Sequence, residues 1–205
     1  MRRATVAAYQ GRRSGVPRSN TARTAVVWEV LRAALGERAA ASGRAALDVV
    51  DAGGGTGGFA VPLAELGHRV TVVDPSPDAL AGLERRAAES GVTVRGLQGD
   101  ADDLLGLVGA GAADLVLCHS VLEYVDEPSV TMASLAQTVR PGGAVSVLAA
   151  GRLAAVLHRA LAGHFDDSRR LLAAADAGAD GRDPVPRRFT RGSLARLAAG
   201  AGLRV

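Results

Sequence analysis

A glycine-rich stretch constrains the fold of this chain more than any other feature of its sequence. Residues 51–58 read Asp-Ala-Gly-Gly-Gly-Thr-Gly-Gly, and they join an apolar run over 46–50 to a helix-like stretch over 59–66. Glycines allow a sharp turn and a close approach to a ligand, because they carry no Cβ atom. The start of the helix offers free N–H groups and a partial positive charge. The stretch therefore predicts a loop that holds a nucleotide-like cofactor.

The loop fits two classes of cofactor. From Gly53 it matches G-x-G-x-x-G, the dinucleotide fingerprint, and from Asp51 it matches D-x-G-x-G-x-G. Asp74 ends the next apolar run, about 20 residues downstream, where an acid accepts hydrogen bonds from ribose hydroxyls in either class. The loop and Asp74 together predict cofactor binding and leave the identity of the cofactor open.

Strands and helices alternate through the central part of the chain. The patterns predict strands over 46–51, 69–74, 92–97, 114–118 and 144–149, and helices over 57–66, 76–90 and 129–138, with a short helix start at 100–104. Such alternation is typical of an α/β fold with a doubly wound, mostly parallel, Rossmann-like sheet. Ligands bind beyond the carboxyl ends of the strands in these sheets, so the candidate residues should meet in one cleft.

The flanks complete a single predicted domain, residues 1–205. Residues 1–44 comprise a flexible arm over 1–20 and a helix over 21–41, and residues 45–149 form the cofactor-binding core. Residues 150–189 break the alternation and predict an inserted lid or substrate element, with helices over 152–161 and 168–177. Residues 190–205 hold a last helix capped by Thr190 and the start of a strand. A fold of this type normally ends with two more strands, so we expect the C-terminal strands to be missing.

Composition narrows the class of protein. Of 205 residues 48% are hydrophobic, enough for one core, and no apolar run approaches the ~20 residues of a membrane span. The single cysteine, Cys118, excludes an internal disulfide and suits a reducing cytoplasm. The net charge of +3 permits an anionic partner without requiring one. We therefore expect a cytoplasmic protein that does not bind membranes, and the oligomeric state stays open.

An ordered set of motifs runs through residues 45–149. It comprises residues 51–57, Asp74, Asp100-Ala101, the segment 119–125 and the Arg-Pro-Gly-Gly turn at 140–143. This set resembles the class I S-adenosylmethionine (SAM) methyltransferase family, whereas a nicotinamide dehydrogenase is not expected to carry the Arg-Pro-Gly-Gly turn before the fifth strand. The resemblance implies SAM as cofactor and S-adenosyl-L-homocysteine as product.

Six segments carry a closer resemblance: the helix from Arg23 to Trp28, Asp51 to Gly55, Leu66-Gly67-His68, His119 to Val125, Gly163 to Asp166, and the turn Arg182-Asp183-Pro184. They resemble the tRNA 5-carboxymethoxyuridine methyltransferase family, and the segments in the flanks carry the subfamily information. That family esterifies the carboxylate of the modified wobble uridine with a methyl group from SAM, which implies tRNA as a partner. Two alternatives stay open: a methyltransferase of a small-molecule acceptor such as a carboxylic acid, and a non-catalytic protein that binds SAM or RNA.

The resemblance assigns a role to each candidate cofactor residue. Gly53, Gly54 and Gly55 are expected to pass close to the amino-acid part of SAM, while Asp51 braces the loop or meets the ammonium group. Arg23 is expected to pair with the SAM carboxylate, and His119 to contact the methionine part through its backbone or ring. The ribose and adenine contacts are expected from Asp74, and from Asp100, Ala101 and Asp102.

The residues suggest neither a catalytic side chain nor a metal ligand. A carboxylate acceptor with a reference pKa of about 4 is ionised at pH 7 and needs no general base. The aromatic side chains Trp28, Tyr124 and Phe165 are each expected in the core rather than stacked on a base. Candidates for binding an acceptor carboxylate or phosphates are Arg152, Arg159, Arg169, Arg170, Arg187 and Arg188.

Overall fold

A parallel β-sheet forms the centre of the computed structural model, which describes residues 2–9, 20–173 and 185–205. Within these residues seven strands pair in the order β4-β3-β2-β5-β6-β1-β7, and every pairing is parallel. The strands are β1 (Arg2–Tyr9), β2 (Asp48–Ala52), β3 (Arg69–Asp74), β4 (Arg95–Gln98), β5 (Ala113–His119), β6 (Val139–Ala150) and β7 (Leu203–Arg204).

Helices cover both faces of the sheet, as the alternating pattern predicts. They are α1 (Asn20–Ser42), α2 (Ala60–Glu65), α3 (Pro77–Glu89), α4 (Leu104–Leu107), α5 (Pro128–Thr138), α6 (Arg152–Leu161), α7 (Phe165–Ala173) and α8 (Arg191–Gly200), with a 3-10 turn at Ala101–Asp103. The predicted cap at Thr190 is confirmed, because its side chain accepts from the Ser193 N–H while the Ser193 side chain bonds back to Thr190. Ser76 caps α3 in the same way, by accepting from the Ala79 N–H at 3.2 Å.

Two clusters of buried side chains hold the helices against the sheet. On one face Leu31, Leu63 and Leu83 pack from α1, α2 and α3 against β2, β3 and β5. On the other face Leu135 of α5 and Leu194 of α8 lie in a second buried cluster. Each of these leucines is at most 1% exposed. Because a fully buried leucine contributes about 1.5–3 kcal/mol, the helices are held in place mainly by this packing.

The N-terminal segment differs from its prediction. Residues 2–9 form β1, a strand that pairs with β6 and β7, whereas the sequence predicts a flexible arm over 1–20. That expectation is wrong for 2–9, because β6 would otherwise be an edge strand with unpaired N–H and C=O groups, which β1 satisfies. Residues 10–19 lie outside the described part of the chain. The expected absence of further C-terminal strands stays a prediction.

An ionic network joins the strands at their amino ends, opposite the carboxyl edge. The fully buried carboxylate of Asp114 pairs with Arg38 at 3.0 Å, with Arg140 at 2.8 Å and with Arg44. Burial alone would raise the pKa of Asp114, but the hydrogen bonds from the Asp48 N–H, Arg38 and Arg140 hold that pKa below its usual range. Arg140 of the Arg-Pro-Gly-Gly turn therefore stabilises the fold from the edge far from the glycine loop.

Candidate cofactor-binding site

A cleft of about 350 Å³ opens at the carboxyl edge of the sheet, where the topology predicts a ligand site. The glycine loop, the start of α1, the end of β5 and the end of β6 form its walls. Four predicted residues line it: Asp51, Gly53, Gly54 and His119. Gly58 of the predicted glycine-rich stretch lines it as well. Five further lining residues were not predicted, and they are Thr24, Val27, Phe59, Ser120 and Leu148.

The loop requires glycine for two physical reasons. Gly53 has φ +70° and Gly55 has φ +55°, the left-handed region that favours glycine. A Cβ on Gly53 would lie 2.3 Å from Cγ2 of Val121, and one on Gly54 would lie 2.6 Å from Oδ2 of Asp51. The backbone can therefore turn here and run tightly along the cleft only without side chains.

Asp74 holds the loop in place from the end of β3. Its side chain accepts from the Gly55 N–H at 2.9 Å and from the Ser76 N–H at 3.0 Å. Each carboxylate oxygen thus has one backbone donor and keeps a lone pair for a further donor. The predicted ribose contact stays a prediction, and the position of Asp74 beside the loop is compatible with it.

Asp51 is an acid inside the cleft and only 3% exposed. Burial, together with the nearby charge of Asp74, raises the pKa of Asp51 to about 7. A cationic group in the cleft would favour its ionised form, because opposite charges attract strongly in a poorly hydrated site. The ammonium group of an amino-acid moiety has the required charge.

The three candidates for adenine binding follow β4 and do not line the cleft. Asp100 is exposed, and Ala101 is buried in the 3-10 turn. The carboxylate of Asp102 accepts from the hydroxyl of Thr131, and its backbone carbonyl accepts from the Ser134 hydroxyl at 3.2 Å. Asp102 therefore ties the turn to α5, and adenine contact by these residues stays a prediction.

His119 ends β5 in an aromatic environment. Its Nε2 lies 2.9 Å from the Ser146 hydroxyl, and its ring meets Phe59 edge-on at 4.8 Å between centroids. Burial lowers the pKa of His119 to about 4, so the ring is neutral at pH 7. Among the described residues Nδ1 has no hydrogen-bond partner. The ring thus forms an apolar wall with one unused polar atom.

Three aromatic side chains are expected in the core, and the structure confirms this for one of them and contradicts it for two. Trp28 is partly buried against the core and lies 5.4 Å from the Phe59 ring, as expected. The core placement of Tyr124 and Phe165 is wrong, because these side chains are 63% and 67% exposed. Arg23 lies in α1 next to the cleft-lining Thr24, and its side chain is outside the described part.

Several arginines of the predicted insertion bind the protein itself. Arg187 donates to the carbonyl oxygens of Val125 at 2.7 Å and Leu122 at 3.4 Å, which holds the turn after β5. Arg159 and Arg170 both pair with Asp167. The turn at residues 182–184 lies outside the described residues. Substrate contact by any of these arginines stays a prediction.

The residues that line the cleft fit SAM. The glycine backbone leaves room for a ligand, Asp51 offers negative charge to an ammonium group, and His119 and Phe59 offer an apolar wall. The volume of the cleft falls in the usual range of small-molecule sites, about 300–1,000 Å³. A dinucleotide would use the same loop, so the loop alone does not distinguish SAM from a dinucleotide.

The comparisons identify the class. A family model described as a methyltransferase domain matches residues 50–147, from β2 through most of β6. The fold is also that of a SAM-dependent methyltransferase from Methanosarcina mazei, with TM-score 0.60 and 20% identity over 77% of this chain and 80% of that one. Residues 50–147 are therefore a methyltransferase domain on the fold of the class I SAM-dependent methyltransferases, whose cofactor is SAM.

Two curated relatives have narrower activities than the methyltransferase class as a whole. The tRNA 5-carboxymethoxyuridine methyltransferase of Escherichia coli K12 is 33% identical over 146 residues, which cover 70% of this chain and 54% of the relative. The ubiquinone biosynthesis O-methyltransferase of Caulobacter vibrioides is 34% identical over 106 residues, covering 52% of this chain and 42% of the relative. The chain spans about half the length of the curated relatives it matches. No described helix is long and apolar enough to cross a membrane.

Proposed function

We propose that this chain transfers a methyl group from SAM to the carboxylate of a carboxymethoxyuridine at the wobble position of tRNA. The observation that carries the proposal is the extent of the similarity to the E. coli tRNA enzyme. That match spans 146 residues, whereas the methyltransferase domain match covers only residues 50–147. The longer match must include flanking segments, which are the parts that differ between methyltransferases of different substrates.

The chemistry of the cleft supports a carboxylate acceptor. SAM, when bound, supplies a methyl group on a positively charged sulfur. An acceptor carboxylate is ionised at pH 7 and attacks without help from a base. His119 fits this chemistry, because its pKa of about 4 makes it a weak base and its Nε2 is bonded to Ser146. The protein then acts mainly by holding the two reactants in line.

The charge of the chain is compatible with a tRNA partner. All 24 basic residues are arginine and the net charge is +3, which permits contact with phosphates without requiring it. Phosphate contacts release counterions, so we expect tRNA affinity to fall steeply with salt concentration. A tRNA substrate and the single buried cysteine, Cys118, also support a cytoplasmic location.

A second candidate is O-methylation of a small hydroxyl-bearing molecule. The match to the ubiquinone biosynthesis O-methyltransferase, over 106 residues, favours this candidate. A hydroxyl acceptor must lose a proton during transfer and usually requires a positioned base. Asp51 and His119 are the titratable side chains on the cleft wall. With a pKa of about 7, Asp51 is a free base only at higher pH, so this reaction would be faster at alkaline pH.

The deciding experiment is methyl transfer from labelled SAM into bulk tRNA, followed by separation of nucleosides by mass. The proposal predicts a labelled methyl ester on carboxymethoxyuridine, and loss of the label after mild alkaline hydrolysis. Label in a small phenol or acid, with none in tRNA, would support the second candidate. A Gly53→Val variant is the control, because its side chain would collide with Val121 in the loop.

A further inference from the structure

The exposed apolar side chains of the α6–α7 hairpin do not line the cleft. Leu153, Leu157 and Leu161 follow one another at intervals of four along α6, so they share one face of the helix. They are 65%, 56% and 80% exposed. On α7, Phe165 and Leu172 are 67% and 60% exposed and lie seven residues apart, again on one face. We call these five side chains the leucine face.

The two helices are joined so that their apolar sides adjoin. The Ser168 hydroxyl donates to the carbonyl oxygen of Val156 at 2.8 Å, which places the middle of α7 against α6. Ser168 lies between Phe165 and Leu172 at helical spacing, so these two flank the contact. An ion pair between Arg159 and Asp167 links the same helices. The leucine face therefore lies on two helices that pack against each other.

The size of the patch calls for a partner. Isolated exposed apolar side chains are ordinary, but patches of several hundred Å² on a protein usually mark an interaction site. Five large side chains exposed by more than half present on the order of 600–700 Å². A standard interface buries roughly 800 Å² on each partner, so the patch is close to the area that a stable dimer needs.

We propose that the leucine face is a dimer interface, formed by packing α6 of one copy antiparallel to α6 of a second copy around a two-fold axis near Leu157. A two-fold interface uses the same patch twice, so every apolar side chain on it is buried in both copies.

The test is the mass of the full chain in solution, measured by sedimentation and by light scattering over a range of concentrations. Leu157→Arg places two like charges at the axis and removes two buried leucines, so we expect at least a ~100-fold weaker dimer. Val130→Arg is the matched control, because Val130 is 53% exposed on α5, outside the leucine face. It should dimerise like the wild type. Leu161→Arg is a second variant with the same expectation as Leu157→Arg.

Crosslinking tests the register independently. The chain has one cysteine, Cys118, which is buried, so a new surface thiol is the reactive one. Leu157→Cys should give a disulfide-linked dimer under mild oxidation, and Val130→Cys should not. A wild-type chain that stays monomeric at every concentration would overturn the proposal, as would unchanged dimerisation of Leu157→Arg. A monomer that binds phosphatidylglycerol vesicles through this face would also overturn it and identify a membrane surface.

Discussion

Replacing Gly53 by alanine tests the physical account of the glycine loop. The backbone at Gly53 has φ +70°, which costs an L-residue about 1–2 kcal/mol. The new Cβ would lie 2.3 Å from Cγ2 of Val121, and relieving such an overlap in packed surroundings costs about 1–3 kcal/mol more. We expect Gly53→Ala to lower the free energy of unfolding by roughly 2–5 kcal/mol and to weaken SAM binding.

The measurement is chemical denaturation followed by circular dichroism, with Gly36→Ala as the matched control. Gly36 lies in α1 with nothing within 4 Å of its would-be Cβ. Alanine there should raise the free energy of unfolding by about 0.5–1 kcal/mol through helix propensity. The reasoning about the loop is refuted if Gly53→Ala costs less than about 0.5 kcal/mol, or if both variants behave alike.

Three other predictions test separate parts of the structure. Because the pKa of folded Asp51 is about 7, the folded chain keeps a proton that the unfolded chain releases as the pH rises above 4. The free energy of unfolding of the wild type, relative to that of Asp51→Asn, should therefore decrease as the pH rises from 4 to 7. Denaturation at a series of pH values should show a decrease of up to about 1.4 kcal/mol per pH unit. Asp114→Asn should cost about 3–5 kcal/mol without changing SAM affinity by calorimetry, whereas exposed Arg69→Ala should cost under about 1 kcal/mol. Thr190→Ala should lower the melting temperature through a loss of about 1 kcal/mol at the cap of α8.

Local sequence signals predict the central fold well. The glycine loop, the acid that ends β3 and the caps at Ser76 and Thr190 each depend on a few neighbouring residues. Parallel pairing then brings the strand ends to one edge, so the meeting of Asp51, Gly53 and His119 at one cleft follows from the topology.

Features that depend on distant partners were not predictable in this way. β1 is a strand because it completes β6, which lies far along the chain, and its own residues carry two arginines and small side chains. Asp102 turns to Thr131 of α5, a contact that no local pattern indicates. Thr24 and Leu148 line the cleft through packing alone, whereas Ser120 follows directly from the strand end at His119 and could have been predicted.

The most direct test of the central claim, that the glycine loop forms a SAM site, is titration calorimetry of the full chain with S-adenosyl-L-homocysteine. The account predicts saturable binding of one equivalent by the wild type and by Gly36→Ala, strong weakening in Gly53→Ala, and no binding of NAD. Binding of NAD instead of S-adenosyl-L-homocysteine, or equal affinity of wild type and a folded Gly53→Ala variant, would contradict it.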